Sequence, residues 1–265
     1  PNAEYYLMEL GWVPERELHP DWEYPVSLLY LETELETDED AEAIADDVLE
    51  RLEAMLRLFQ KGDIYVRRHG YIYSLKNGKT EPTISFRHWP EKPEPVTLYE
   101  RGAYPFDDNV VERFVDFFEA YWDIVSKKPP ALYNAIFRFN TSYERRSLSD
   151  RLIELMIAME ALFGDRDYQR YKIPLRCACL LYPLGDQRKQ AFQFIKEFYD
   201  ERSAIVHGGR LDVGTKGKEV DQFEEYVRLS ILKFLDSCRK GSPLISGAQL
   251  DDLLFLTGRQ GSEAT

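Results

Sequence analysis

The sequence predicts a mainly α-helical fold. An acidic α+β accessory domain is expected over residues 1–128, a bundle of about five helices over 129–242, and a tail over 243–265. Three observations carry this. From Pro130 onward, apolar residues recur every three or four positions, the period of a helix with one buried face. Before that, much of the chain consists of short runs rich in β-formers, punctuated by glycine and proline. Finally, Lys127-Lys128-Pro129-Pro130 breaks the pattern where the charge balance also changes. Residues 1–126 hold 12 Lys+Arg against 28 Asp+Glu, whereas residues 127–265 hold 22 against 19.

Taken in order, Tyr24–Leu35 suits a strand, and Thr37-x-x-Asp40 supplies a helix start. Ala41–Phe59 then places Ile44, Val48, Leu52, Met55, Leu56 and Phe59 on one helical face, with acidic residues at its N-terminal end where the helix dipole favours them. Ile64–Arg67, Tyr71–Leu75 and Thr83–Phe86 read as strands, with Asn77-Gly78 as a tight turn, and Val96–Tyr99 as a further short strand. Arg67, Arg68 and His69 read as a solvated turn. Asp107–Val125 returns to helix.

In the second half, Leu132, Ala135, Ile136, Phe139 and Tyr143 share a face behind a proline suited to a first turn. Ser147-x-x-Asp150 resembles a capping box and opens Arg151–Phe163, apolar nearly all round and therefore central, with Gly164 after it. Ile173–Tyr182 is a short helix and Arg188–Val206 a long one. A Gly/Lys loop over Gly208–Lys218 leads to the helix Glu219–Cys238, and Ala248–Leu256 is a short helix in the tail.

Composition narrows the function classes. The 265 residues are 44% hydrophobic and 14% aromatic, enough for a packed core, with a net charge of −13. The acidic first half argues against a nucleic-acid footprint there, and the second half permits one. The apolar run Leu152–Phe163 is interrupted by Glu154 and Glu160, so no membrane contact is expected, and the first residues show no leader pattern. Cys177, Cys179 and Cys238 form no C-x-x-C pair and read as small buried residues of a cytoplasmic protein. His19, His69, His88 and His207 form no zinc-type pattern, so neither metal nor other cofactor is expected.

One stretch stands out: Phe198–Gly209, FYDERSAIVHGG. Arg202 falls in the apolar stripe Ala191, Ile195, Phe198, Ile205. A guanidinium aimed at an apolar face needs a partner or an interface. Glu160 has the complementary position in MIAMEALFG. Two accounts stay open. Arg202 and Glu160 form an ion pair locking two helices, with His207 capping its helix end, or Arg202 and His207 form an active site. Positions five apart lie about 140° apart on a helix of ~100° per residue. The second account therefore needs the chain to leave the helix near His207, which Gly208-Gly209 permits, or a second subunit.

The run LSDRLIELMIAMEALFG, the IPLRCACLL helix and FYDERSAIVHGG together resemble the Apea-like branch of the HEPN superfamily over roughly Pro130–Cys238. The family motif, an arginine followed after four to six residues by histidine, matches Arg202-Ser-Ala-Ile-Val-His207. The resemblance implies a dimerising helical bundle and, in many members, a metal-independent endoribonuclease acting as a toxin or phage-defence effector. Other members are non-catalytic scaffolds. Carried over, His207 is the general acid/base and Arg202 binds the scissile phosphate, with attack by the RNA 2′-OH leaving a cyclic phosphate. Ser203 stands where active members often carry Asn, Asp or His. Asp200 and Glu201 add negative charge beside the motif. RNA, a second copy of the chain and a protein partner for residues 1–128 are the expected partners, with Ser203 and Glu160 as supporting residues.

Overall fold

A computed structural model describes four strands and residues 41–62, 64, 101, 104–105, 107–145, 147–165, 167–209, 213–241, 245 and 247–256, with side chains described from residue 47. In chain order the elements are β1 (Glu9–Val13), β2 (Leu28–Glu32), α1 (Ala41–Phe59), β3 (His69–Tyr73), β4 (Thr83–Arg87), α2 (Asp108–Ser126), α3 (Pro130–Ser142), α4 (Leu148–Phe163), α5 (Gln169–Leu181), α6 (Asp186–Val206), α7 (Val213–Arg239) and α8 (Gly247–Leu256). The expected helices are all present. The strands form two separate antiparallel ladders, β1 with β2 and β3 with β4. The expected Ile64–Arg67 strand, the Asn77-Gly78 turn and the Val96–Tyr99 strand lie wholly or largely outside the described residues.

The main core is one large cluster, with a second, smaller one between α1 and α2. Leu132, Phe139, Leu152, Leu155, Met156, Met159, Ile173, Cys177, Ile195, Phe223, Val227, Ile231 and Leu235 are fully buried or nearly so. Each such aliphatic or aromatic side chain contributes about 1.5–3 kcal/mol on leaving water. α3 packs along α4 and α5 along α6, while α7 touches α2, α3, α4 and α5.

An accessory α+β domain over 1–128 is not supported, because α1 and α2 belong to the bundle. Ala54 and Leu58 of α1 and Val125 of α2 sit in the main core. The other face of α1, through Val48, Leu52, Met55 and Leu56, packs on Phe114, Phe118 and Trp122 of α2. The Lys127–Pro130 break is a short turn between consecutive helices: Lys128 takes a left-handed φ of 49° and Pro130 starts α3.

Charged groups strengthen the joint. Arg101 forks onto Glu224 of α7 at 3.0 and 3.1 Å, and Arg151 of α4 grips the same carboxylate at 2.8 and 3.1 Å. Arg228 of α7 donates to the carbonyl of Leu58 at 2.7 Å, satisfying an orphan acceptor at the end of α1. Arg57, Arg101, Arg151 and Glu224 are all buried. Two further differences concern the chain's end. α7 begins at Val213, inside the expected Gly/Lys loop, and runs through Gly214 and Gly217. Val220 and Phe223 anchor it in the core, and Lys216 bridges Glu201 and Glu219. The expected tail also contains a packed element. Leu250 of α8 is fully buried, and Asp251 pairs with Arg176 of α5 at 2.7 and 2.8 Å.

Candidate functional site

Three helix ends meet around Arg202. The first is the C-terminal end of α4. Ser147 caps its start by accepting from the Asp150 N–H, and Gly164 closes it with an N–H bond to the Glu160 carbonyl at 2.8 Å. A Cβ at residue 164 would lie 2.2 Å from that carbonyl oxygen, so glycine is what lets the chain turn away here. Met159 and Phe163 are buried on either side of Glu160, which fixes the carboxylate at the rim of the bundle, half-buried.

The second is the C-terminal end of α6. Ala191, Ile195 and Phe198 are buried, and Phe198 stacks on Phe223 with centroids 5.0 Å apart. This anchoring fixes the rotation of α6 and sets Arg202 opposite Glu160. The guanidinium Nη2 lies 3.6 Å from Glu160 Oε1, too far for a hydrogen bond. The two side chains are 27% and 22% exposed, so the pair is neither sealed nor free. Arg202 Nε is buried without a hydrogen-bond partner.

α6 stays helical through Val206. His207 is its C-cap, φ −89° and ψ 16°, with its N–H still bonded to the carbonyls of Ser203 and Ala204. Gly208 then takes φ +96° and donates to the Ile205 carbonyl, while Gly209 donates to Ala204 at 2.9 Å. These two bonds make a Schellman end. The break therefore comes after His207, and the angular separation from Arg202 persists. Within one chain the two do not share a helix face. His207 is exposed and Ser203 half-buried.

The third is the N-terminal end of α5. Tyr199 donates its hydroxyl toward Gln169 Oε1 at 3.5 Å. Burial pushes the Tyr199 phenol up, the Glu160 carboxylate adds to that, and Arg202 opposes it, so this ring lies in the field of both charged groups. Sequence reasoning missed Tyr199, although its place three residues before Arg202 puts it on the same face. The acidic neighbours are neutralised locally. Asp200 accepts a fork from Arg170 at 2.5 and 2.6 Å, which holds its carboxyl below the usual range, and Glu201 pairs with Lys216 at 3.1 Å.

The cysteines are free. Cys177 and Cys179 are buried, and burial pushes the Cys177 thiol up to about 12. Among the described residues no group of three or more His, Cys, Asp or Glu is arranged to hold a metal ion, and no helix is long and apolar enough to cross a membrane. No protein-family model, curated protein or solved structure matches the chain.

Proposed function

We propose that this helical bundle is an endoribonuclease of HEPN type that works without metal, an effector of the toxin or phage-defence kind, with its active centre formed where two copies meet. The observation that carries the reading is Arg202. It is a half-exposed guanidinium whose Nε lacks a partner, five residues before an exposed histidine at a glycine-closed helix end.

The chemistry suits these groups. An imidazole exchanges protons near neutral pH, so His207 accepts the proton of the RNA 2′-OH. The 2′-oxygen attacks the adjacent phosphorus, the bond to the 5′-oxygen breaks, and that oxygen takes a proton from an imidazolium. The products are a 2′,3′-cyclic phosphate and a free 5′-OH. Arg202 stays charged and contacts two non-bridging oxygens as the phosphorane forms. Ser203 offers a short hydroxyl beside it. Because Arg202 and His207 diverge on one helix, a twofold pairing that sets Arg202 of one copy against His207 of the other supplies the needed geometry.

The test is cleavage of total RNA by purified protein in EDTA, beside Arg202→Ala and His207→Ala. Cleavage by the wild type alone is expected. Intact RNA, or mutants that cut as well as the wild type, overturns the reading. A second reading, a non-catalytic module that dimerises or docks a partner, draws on the Arg202–Glu160 contact between α6 and α4. It requires Arg202→Ala to lower the melting temperature strongly.

A further inference from the structure

Most arginines in this molecule that pair with carboxylates do so by close hydrogen bonds, several of them two-pronged. Arg101 and Arg151 grip Glu224, Arg170 grips Asp200, Arg176 grips Asp251 and Arg228 grips Glu225, all at 3.1 Å or less. Arg202 differs. Its nearest carboxylate, Glu160, is at 3.6 Å, and its Nε is unpartnered. A guanidinium presents a planar fork that fits two oxygens of a carboxylate or phosphate at once. Here Glu160 leaves part of that fork empty. Its backbone lies in the last turn of α4, between core side chains and the Gly164 closure, which limits how much further it can approach.

We propose that Glu160 is a built-in competitor for the anion taken by Arg202. In the free protein it shields the guanidinium loosely, and an RNA phosphate displaces it. This rests on the nuclease reading only in naming RNA as the source of the phosphate. Two observations support it. The pair is partly solvent-exposed on both sides, so an incoming anion has access and release of the carboxylate costs little. A phosphate oxygen that approaches Nη2 closely makes the hydrogen bond that Glu160, 3.6 Å away, does not. Glu160 is thus a positioning residue: it holds Arg202 in place when empty and sets a threshold that a phosphate must exceed.

The experiment uses a fluorescently labelled 2′-O-methyl oligoribonucleotide, which lacks the attacking hydroxyl and so reports binding apart from cleavage. Wild type, Glu160→Gln, Arg202→Ala and the double variant are titrated at low and high salt, and unmodified RNA is cleaved in parallel. Removing a like charge about 5 Å from the phosphate is expected to tighten binding by roughly threefold to tenfold at low salt. The gain shrinks as salt rises and vanishes in the double variant. In cleavage, the effect falls on KM rather than kcat. The melting temperature of Glu160→Gln stays at the wild-type value. Equal or weaker binding by Glu160→Gln, a gain that survives Arg202→Ala, or a lowered melting temperature overturns the proposal. Tighter binding with no cleavage of unmodified RNA by any form overturns the nuclease reading and leaves the competitor standing. Binding by no form overturns both.

Discussion

Two clusters of arginine and glutamate in this molecule are built from the same side chains and behave differently. At the junction of α4 and α7 with the segment preceding α2, Glu224 is fully enclosed and held by two arginines at hydrogen-bond distance. Burial pushes its carboxyl up, but Arg151 and Arg101 outweigh that and hold it below the usual range. Arg101 also lies over the Tyr143 ring at 3.9 Å. At the junction of α4 with α6, Glu160 and Arg202 stand apart at the rim, each about a quarter exposed. The first cluster is buried, with both oxygens of Glu224 bonded, and fastens the segment preceding α2 to the bundle. The second leaves Arg202 Nη2 3.6 Å from its nearest carboxylate, beyond hydrogen-bond distance, on a side chain partly open to water. Saturation and access, rather than residue type, separate a structural ion pair from a candidate site.

The contrast is open to mutation. The largest effect is expected from Glu224→Ala, which leaves two buried guanidinium groups without their shared anion and costs about 3–5 kcal/mol by chemical denaturation. A loss below ~1 kcal/mol would mean that the cluster is not holding the fold. Arg176→Ala comes next. It removes a fork to Asp251 and a 2.8 Å bond to the Phe163 carbonyl, so about 2–3 kcal/mol is expected, with faster hydrogen exchange in α8.

Acid sharpens the same comparison. A carboxyl whose folded pKa is depressed contributes its stability in full above the unfolded value and loses it as pH falls toward the folded one. Unfolding free energy is therefore expected to drop as pH goes below about 4.3. A titration of Glu224→Gln by urea melts should be flatter there, and an unchanged slope would assign the acid loss to other groups. Smaller again is Gly208→Ala, at about 1 kcal/mol, because φ of +96° disfavours any side chain. Smallest is Arg202→Ala, below about 1 kcal/mol, as expected of a half-exposed pair. A large loss there would erase the distinction between the two clusters.

Much of the bundle was legible because periodicity reports burial directly. Leu132, Ala135, Ile136, Phe139 and Tyr143 were read as one face and are all buried. The grouping of α1 and α2 with the bundle was not legible. Arg51, Glu53 and Arg57 fall outside the apolar face that the periodicity of α1 marks, yet all three are buried. Arg57 bonds Asn140 across the helix junction, so its burial depends on a partner 83 positions away that no local pattern reveals. A lysine-proline break likewise looks the same whether it separates domains or only turns the chain between consecutive helices of one bundle. At the candidate site, the approach of Arg202 to Glu160 was readable from complementary odd residues in two apolar stripes. What pattern alone could not supply was the distance, which turns a presumed lock into a loose contact. The quenching of Asp200 and Glu201 by Arg170 and Lys216 depends on neighbours 30 and 15 residues away, and was equally out of reach.

The helix end at His207 has one more consequence. Because the glycine break follows the histidine, Arg202 and His207 turn as one rigid body, and no local flexing of α6 within a chain brings them face to face. A nuclease made this way is sensitive to dilution: below the dissociation constant of its dimer, activity falls with the square of protein concentration. If the proposed dimeric centre is right, a chain lacking Arg202 mixed with a chain lacking His207 should regain one complete centre per mixed dimer, a gain read as RNA cleavage by the mixture alone. Under the proposed nuclease reading, abundance itself would act as the trigger, because few copies would stay as separate halves.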